Sequence, residues 1–415
     1  MRSWCKVFIN KNNIMSCNLG NINRCDIYIL LWVLYSFQGI LYSQGMINQL
    51  LQLLMLVWCL IVSSKYLTNW SYIPRLLKVT SLLVYMYLIY GLIYMLYSQP
   101  VTFEEGGSPA SYYYLQQSLN SLLPIFLFYS YTKKGYITEK RLRAYFFIFT
   151  IVAVYTFQHT HQEQVLADIY GRTEFTNNVG YTFLALMPML YMFNKKPIVQ
   201  YVLASILLLF IVMSMKRGAI VIGTLCFSQF LYQNWKSSSR AKDRLLIVLL
   251  TLSILVVAYY FVSNMLEHSD LFLRRLEATK EMDSSGRDDL VSIIWKKYWA
   301  SISVISLLLG NGANSTISFA GNYAHQDWLE TLCNNGVVGV GILLSFYITF
   351  LKTILSRRLL NCQKYLKAAF LMLFLICIMK TIFSMSIQGM EISITMMIGF
   401  LNYNEFKNDE NTSSY

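Results

Sequence analysis

The sequence predicts an all-α fold: a polytopic membrane protein of about twelve transmembrane helices, with one large outer loop of short helices at residues 264–335. Three observations predict it. Of 415 residues, 56% are hydrophobic and only 13% charged, and the mean hydropathy of +0.45 lies far above that of a soluble domain. Apolar runs near the length a bilayer demands, about 20 residues per helical span, recur along nearly the whole chain. Basic residues occupy every second connection between those runs, which is the asymmetry of positive-inside insertion.

The runs lie at 27–42, 46–63, 79–97, 112–131, 144–158, 178–193, 199–215, 218–233, 245–263, 336–355, 366–383 and 385–402. Ahead of the first, a polar stretch with Arg2, Lys6, Lys11 and Arg24 shows no cleavable signal pattern, so that run is expected to stay as an anchor. Tyr112, Tyr113 and Tyr114 open the fourth run, where they are expected as an aromatic belt at the outer interface. Lys65, Arg75 and Lys78, then Lys133 to Arg143, Lys195 and Lys196, Lys236 to Arg244, and Lys352 to Lys367 all fall in connections of the same side. Both termini are therefore expected in the cytoplasm. Spread in this way, the net charge of +13 argues against nucleic acid as a partner and for the membrane lipid itself.

Of eight cysteines, Cys59, Cys226 and Cys377 fall within runs and Cys5, Cys17, Cys25 and Cys362 on the cytoplasmic side. Only Cys333 is expected near the outer surface, so no disulfide framework is implied. No repeat or low-complexity tract divides the chain, and residues 1–415 read as a single transmembrane bundle with the 264–335 loop between its ninth and tenth spans. Chemistry is then expected in the polar outer segments: 159–177, the turn at Lys216 and Arg217, and the long loop.

Within the long loop, Ser285 stands three residues before Asp288, a spacing that predicts a capped helix start. Leu290, Val291, Ile294, Trp295, Tyr298 and Trp299 then share one face, which predicts a helix resting on the membrane or on the bundle. Arg287 falls in its first turn, where free N–H groups favour an anion; pairing with Asp288 or Asp289 is the structural alternative. Gly310-Asn311-Gly312 signals a turn. In "MSMKRGAIV", 213–221, Lys216 and Arg217 sit between two apolar runs with almost no loop to hold them. Charge at that depth is costly; the cations either snorkel to lipid phosphate or face a membrane-anchored phosphate.

His159 and His161 form an H-x-H pair beside Glu163, but no further ligand stands at zinc spacing, so no metal is expected. Arg172, after Gly171, is a second phosphate candidate or an ordinary loop arginine. His325 lies at the start of "AHQDWLETLCNNGVVGVG" (324–341), and an unperturbed pKa of about 6.5 suits it to take a proton near neutrality. A helix starting there turns Trp328, Leu329 and Leu332 to the bundle and lets Asp327 and Glu330 face polar partners; Gly336, Gly339 and Gly341 are expected as a small-residue packing face. Glu391 is intramembrane and needs a partner, for which Lys380 is the candidate.

Taken together, "YGRTEFTNNVGYTFLALMPM" (170–189), "SMKRGAIV" (214–221), "SSGRDDL" (284–290), "LLLGNG" (307–312) and the 324–341 segment resemble the O-antigen polymerase and ligase family of bacterial envelope glycosyltransferases. The resemblance covers about residues 165–350, with nothing matching in the N-terminal third. It implies a GT-C-like bundle in the inner membrane and a metal-independent, cofactor-free transfer of glycan from undecaprenyl diphosphate at the outer face. By motif it implies that Arg217 and Arg287 bind the diphosphate with Lys216 beside them. His325 becomes the base that deprotonates the acceptor hydroxyl, Arg172 a glycan or phosphate contact, and Asp327 and Glu330 further substrate-binding groups. Two outer loops bearing arginines favour a polymerase, with a chain-length regulator protein as a plausible partner; a ligase to the lipid A core is the alternative, and a lipid-linked sugar flippase a more distant one.

Overall fold

The computed structural model describes residues 22–41, 45–97, 110–169, 178–238, 287–300, 303–356, 364–387 and 389–412, with single positions between 241 and 263. Among the described residues every regular element is helical and no strand occurs. Helix α1 (Arg24–Leu41) starts where Asn23 and Asp26 cap one another. Asn23 Oδ1 accepts from the Cys25 and Asp26 N–H groups at 2.8 and 3.1 Å, and Asp26 Oδ2 accepts from the Asn23 N–H at 2.9 Å. The same Asp26 then pairs with Arg141 at 3.1 Å and accepts the Tyr145 hydroxyl at 2.6 Å. One short sequence feature thus both begins α1 and fastens it to the helix Glu139–Ile169.

Helices α2 (Met46–Thr68), α3 (Arg75–Tyr97), α4 (Ala110–Lys133) and α5 (Glu139–Ile169) follow. Helix α6 (Val179–Leu186) tightens into a 3₁₀ segment (Met187–Phe193) at Pro188, which has no N–H for the α-helical bond. Helix α7 (Pro197–Met213) opens on a proline where a missing N–H costs nothing, and α8 is Arg217–Ser237. Then come α9 (Arg287–Ala300), two single-turn helices α10 (Val304–Leu309) and α11 (Ser315–Ala320), and finally α12 (Asp327–Leu355), α13 (Lys364–Phe383) and α14 (Ile392–Thr412).

Helices lie on the predicted apolar runs, apart from 245–263, which falls largely outside the described residues, and the start of 385–402, where the last helix begins only at Ile392. Among the described residues, four are long and apolar enough to cross a membrane: Met46–Thr68, Arg75–Tyr94, Asp327–Leu355 and Lys364–Phe383. Their outer faces match that reading. On α2, Ile47, Leu50, Leu54, Val57 and Ile61 form one exposed stripe, and Leu82, Ile89 and Leu96 do the same on α3. Apolar stripes of this extent are the surface of a protein dissolved in lipid.

Inside, α4 is the central helix, packed against α2, α3 and α14. Its approach to α14 requires a glycine, because a Cβ at Gly399 would stand 2.7 Å from the Tyr129 nitrogen and 2.8 Å from the Ile125 oxygen. Helix α13 lies against α8, α12 and the 3₁₀ segment. Since lipid is as apolar as leucine, helices in such a bundle are held by close packing and hydrogen bonds more than by apolar burial. The polar contacts below are therefore where specificity resides.

Candidate functional site

Helix α12 starts at Asp327, close to the start expected at His325 and ahead of the apolar run, with Gln326 in extended backbone as its cap. Its first turn carries Asp327 and Glu330, well placed against the positive end of the helix dipole. The helix then breaks at Gly336, whose φ of 65° and ψ of −164° only glycine adopts readily. The expected small-residue packing face is not what these glycines make. A Cβ at Gly336 would stand 2.4 Å from the Leu308 oxygen, one at Gly339 would meet the Asn335 side chain of the preceding turn at 2.3 Å, and Gly341 faces open space.

The break lets another segment reach the backbone of α12. Gly310 and Gly312 take φ of 82° and 111°, as the Gly-Asn-Gly turn predicts, and the Asn311 N–H donates to the Cys333 carbonyl at 2.7 Å. Tyrosines of α3 take the next carbonyls: Tyr94 donates to Asn334 O, and Tyr90 to Asn335 O at 3.4 Å. Asn334 Oδ1 accepts both the N–H and the hydroxyl of Ser315, each at 2.9 Å, and Tyr114 donates to Asn335 Oδ1 at 2.8 Å. Tyr114, expected in an interfacial belt, is thus a buried core residue; the Tyr112 and Tyr113 side chains lie outside the described residues.

Both acids of the first turn are buried, Asp327 at 3% and Glu330 at 2% exposure. Glu330 accepts the Ala324 N–H through one oxygen and, through the other, the Thr316 hydroxyl at 2.8 Å and the Asn334 amide at 3.5 Å. Asp327 Oδ2 accepts the N–H groups of Ser386 and Ile387 at 2.7 and 3.3 Å. Their polar partners are therefore backbone and neighbouring side chains, and in this arrangement they act as posts for two connectors, 303–326 and 384–391. His325 sits between the posts, half-buried, with φ of 55°. The left-handed backbone is uncommon for a residue with a Cβ and costs on the order of 1–2 kcal/mol. Such strain persists only where the surroundings impose it, and here Glu330 holds the residue before His325 while Asp327 begins the helix two residues after it.

A second strained turn lies at the same end of the bundle. Met215 has φ of 53°, and Lys216 and Arg217 follow it at the start of α8, both half-buried. This turn packs tightly: a Cβ at Gly218 would meet the Tyr181 hydroxyl at 2.4 Å and the Phe383 side chain at 2.7 Å, and one at Gly180 would meet the Ser214 hydroxyl at 2.2 Å. Lys380, on the last turn of α13, lies over the Tyr181 ring at 5.3 Å and donates to the Gly389 carbonyl at 2.6 Å. Trp328 donates its indole N–H to Thr381 at 2.9 Å. A continuous set of contacts therefore joins the Lys216–Arg217 turn, through Tyr181, Phe383 and the end of α13, to the first turn of α12 beside His325.

The expected Lys380–Glu391 pair does not form: Glu391 accepts the Thr182 hydroxyl at 3.2 Å, and Lys380 serves the connector carbonyl and acts electrostatically on Asp327. Helix α9 begins at Arg287 and rests on the bundle through Ile294 and Tyr298, which pack with Ala324, Leu329 and Cys333, leaving Trp295 and Trp299 exposed. Cys333 is accordingly buried. The Arg287 and Glu163 side chains, Ser285 with its expected cap, and Arg172 lie outside the described residues. His161 stacks on Phe157 with ring centroids 5.8 Å apart, and among the described residues no group of three His, Cys, Asp or Glu side chains gathers in a way that would hold a metal ion.

Comparison with known proteins adds no name to this geometry: no family model matches the chain, and no curated protein matches it. Sequence reasoning missed Thr316, Asn334, Asn335 and the Ser386–Ile387 amides, which complete the posts. The "NNG" at 334–336 was the available signal, since Asn-Gly marks a chain reversal even inside an apolar run.

Proposed function

We propose that the chain is a membrane glycosyltransferase that polymerises undecaprenyl-diphosphate-linked oligosaccharide repeat units into O-antigen or capsular polysaccharide at the outer face of the bacterial inner membrane. The observation that carries this reading is the contact path from the Lys216–Arg217 turn to the strained loop bearing His325, at one end of an apolar bundle. It is supported by the motif order from Arg172 to Gly341 and by the alternation of basic connections, which together fit twelve spans, a GT-C-like arrangement and cytoplasmic termini.

In this reading His325 takes the proton from an acceptor hydroxyl, the freed oxygen bonds to the anomeric carbon, and the bond from that carbon to the diphosphate breaks. Arg217 and Arg287 meet the charge growing on the leaving diphosphate, a task suited to bidentate guanidinium groups, with Lys216 as a further cation and Arg172 as a glycan or phosphate contact. Asp327 and Glu330 position the histidine loop rather than touching substrate. A chain-length regulator protein is the partner such a polymerase would take.

The test is a deletion strain complemented with the intact gene or with Arg217→Ala, Arg287→Ala or His325→Ala. Each variant, present in the membrane at normal level, is expected to leave single repeat units on an otherwise complete acceptor. Full-length polymer from all three would overturn the reading, and long chains stranded on the lipid carrier would reassign the protein as a ligase.

A further inference from the structure

A cavity of about 160 Å³ lies among α1, α2, α4 and the start of α14, lined among others by Trp32, Gln52, Asn120, Pro124, Glu391 and Thr395. Its chemistry is unusual for an apolar bundle. Gln52 and Asn120 are half-buried amides with no hydrogen-bond partner among the described residues. Pro124 supplies no N–H to the Asn120 carbonyl one turn before it, so the backbone offers a further acceptor at the same place. Glu391 has one oxygen on the Thr182 hydroxyl, which leaves the other as an acceptor, and the Trp32 and Tyr28 rings also line the space. These half-buried groups are all able to bond a ligand that offers several hydroxyls.

We infer that this cavity is a subsite for a single uncharged or amino sugar ring. Two amides, a carboxylate and an aromatic wall are the groups that recognise a pyranose, by bonding its hydroxyls and packing its C–H face. The space has room for a ligand of the size of a sugar ring. No lysine or arginine lines it, and a carboxylate does, so phosphate and uronic acids are excluded by charge. The cavity shares a connector with the candidate site: Met390 and Glu391 line it, and they close the connector that Asp327 holds at Ser386 and Ile387. The inference rests on the proposed glycan chemistry for the origin of the sugar, which would then be one ring of a lipid-linked unit.

The experiment is saturation-transfer NMR on the purified full-length chain in lipid nanodiscs, with glucose, N-acetylglucosamine, glucosamine and glucuronate as separate probes and empty discs as the reference. At least one neutral or amino sugar is expected to receive saturation and glucuronate none, with Asn120→Leu and Gln52→Leu each weakening the bound sugar by about tenfold. Glu391→Gln, nearly identical in size, is expected to admit glucuronate. The two leucine variants lie on different helices, so a folding failure of one leaves the other to decide. No saturation of any sugar beyond empty discs, or full retention by both leucine variants, overturns the inference. Because the readout is binding by the isolated protein, it stands or falls separately from polymer synthesis in the complemented strain.

Discussion

Glu330 shows how far a single residue was legible. Its position one turn into a helix beside a histidine marked it as functional, but the sequence pointed it toward substrate, whereas its carboxylate is filled by Ala324, Thr316 and Asn334. The difference is physical: the donors lie in a connector whose path depends on glycine dihedrals, and local pattern does not reveal which side of the helix that connector will cover. Glu330→Ala leaves the buried Ala324 N–H and Thr316 hydroxyl unpaired and is expected to cost about 1–3 kcal/mol for each group so exposed. Hydrogen exchange at residues 322–326 should rise sharply in that variant and much less in Glu330→Gln, whose amide oxygen still accepts one bond. Asp327→Ala is expected to raise exchange at Ser386 and Ile387 instead, with residues 322–326 less affected. Equal effects of both substitutions on both connectors would contradict the division of labour.

At the scale of elements, apolar periodicity located most helices, but the starts and breaks were set by signals weaker than the pattern. The expected cap at Ser285 lies outside the described residues, whereas a reciprocal cap is formed by Ser303 and Ser306 at the head of α10, with bonds of 3.0 and 2.7 Å. That Ser-x-x-Ser was hidden because its helix is one turn long and carries no amphipathic period. The glycines of α12 provide a sharper test. Gly336→Ala places a Cβ on the Leu308 carbonyl in a conformation only glycine tolerates, and is expected to destabilise by about 1–3 kcal/mol from backbone strain alone. Gly341→Ala, on an open helical face, is expected to be neutral or to stabilise by up to about 1 kcal/mol. Thermal unfolding of the two variants in detergent should therefore shift in opposite directions or by clearly different amounts.

Across the whole molecule, the apolar runs and sparse charge made the all-helical architecture readable, because lipid imposes one rule on every spanning segment. Side-to-side arrangement was not readable, since it depends on contacts such as Gly399 against α4 that carry no periodic signature. Orientation is open to direct measurement. With the connections placed as the basic residues imply, a cysteine at exposed Asn322 (Asn322→Cys) is expected to react with a membrane-impermeant maleimide in intact cells, and one at exposed Lys196 (Lys196→Cys) only after permeabilisation. The reverse pattern would invert the topology and remove the site from the outer face. The break at Gly336 also has a mechanical meaning. The short helical piece ahead of it is tied by Glu330 to one connector and by Asp327 to the other. It therefore couples the two connectors: neither can be displaced without dragging that piece or surrendering a bond to a buried carboxylate.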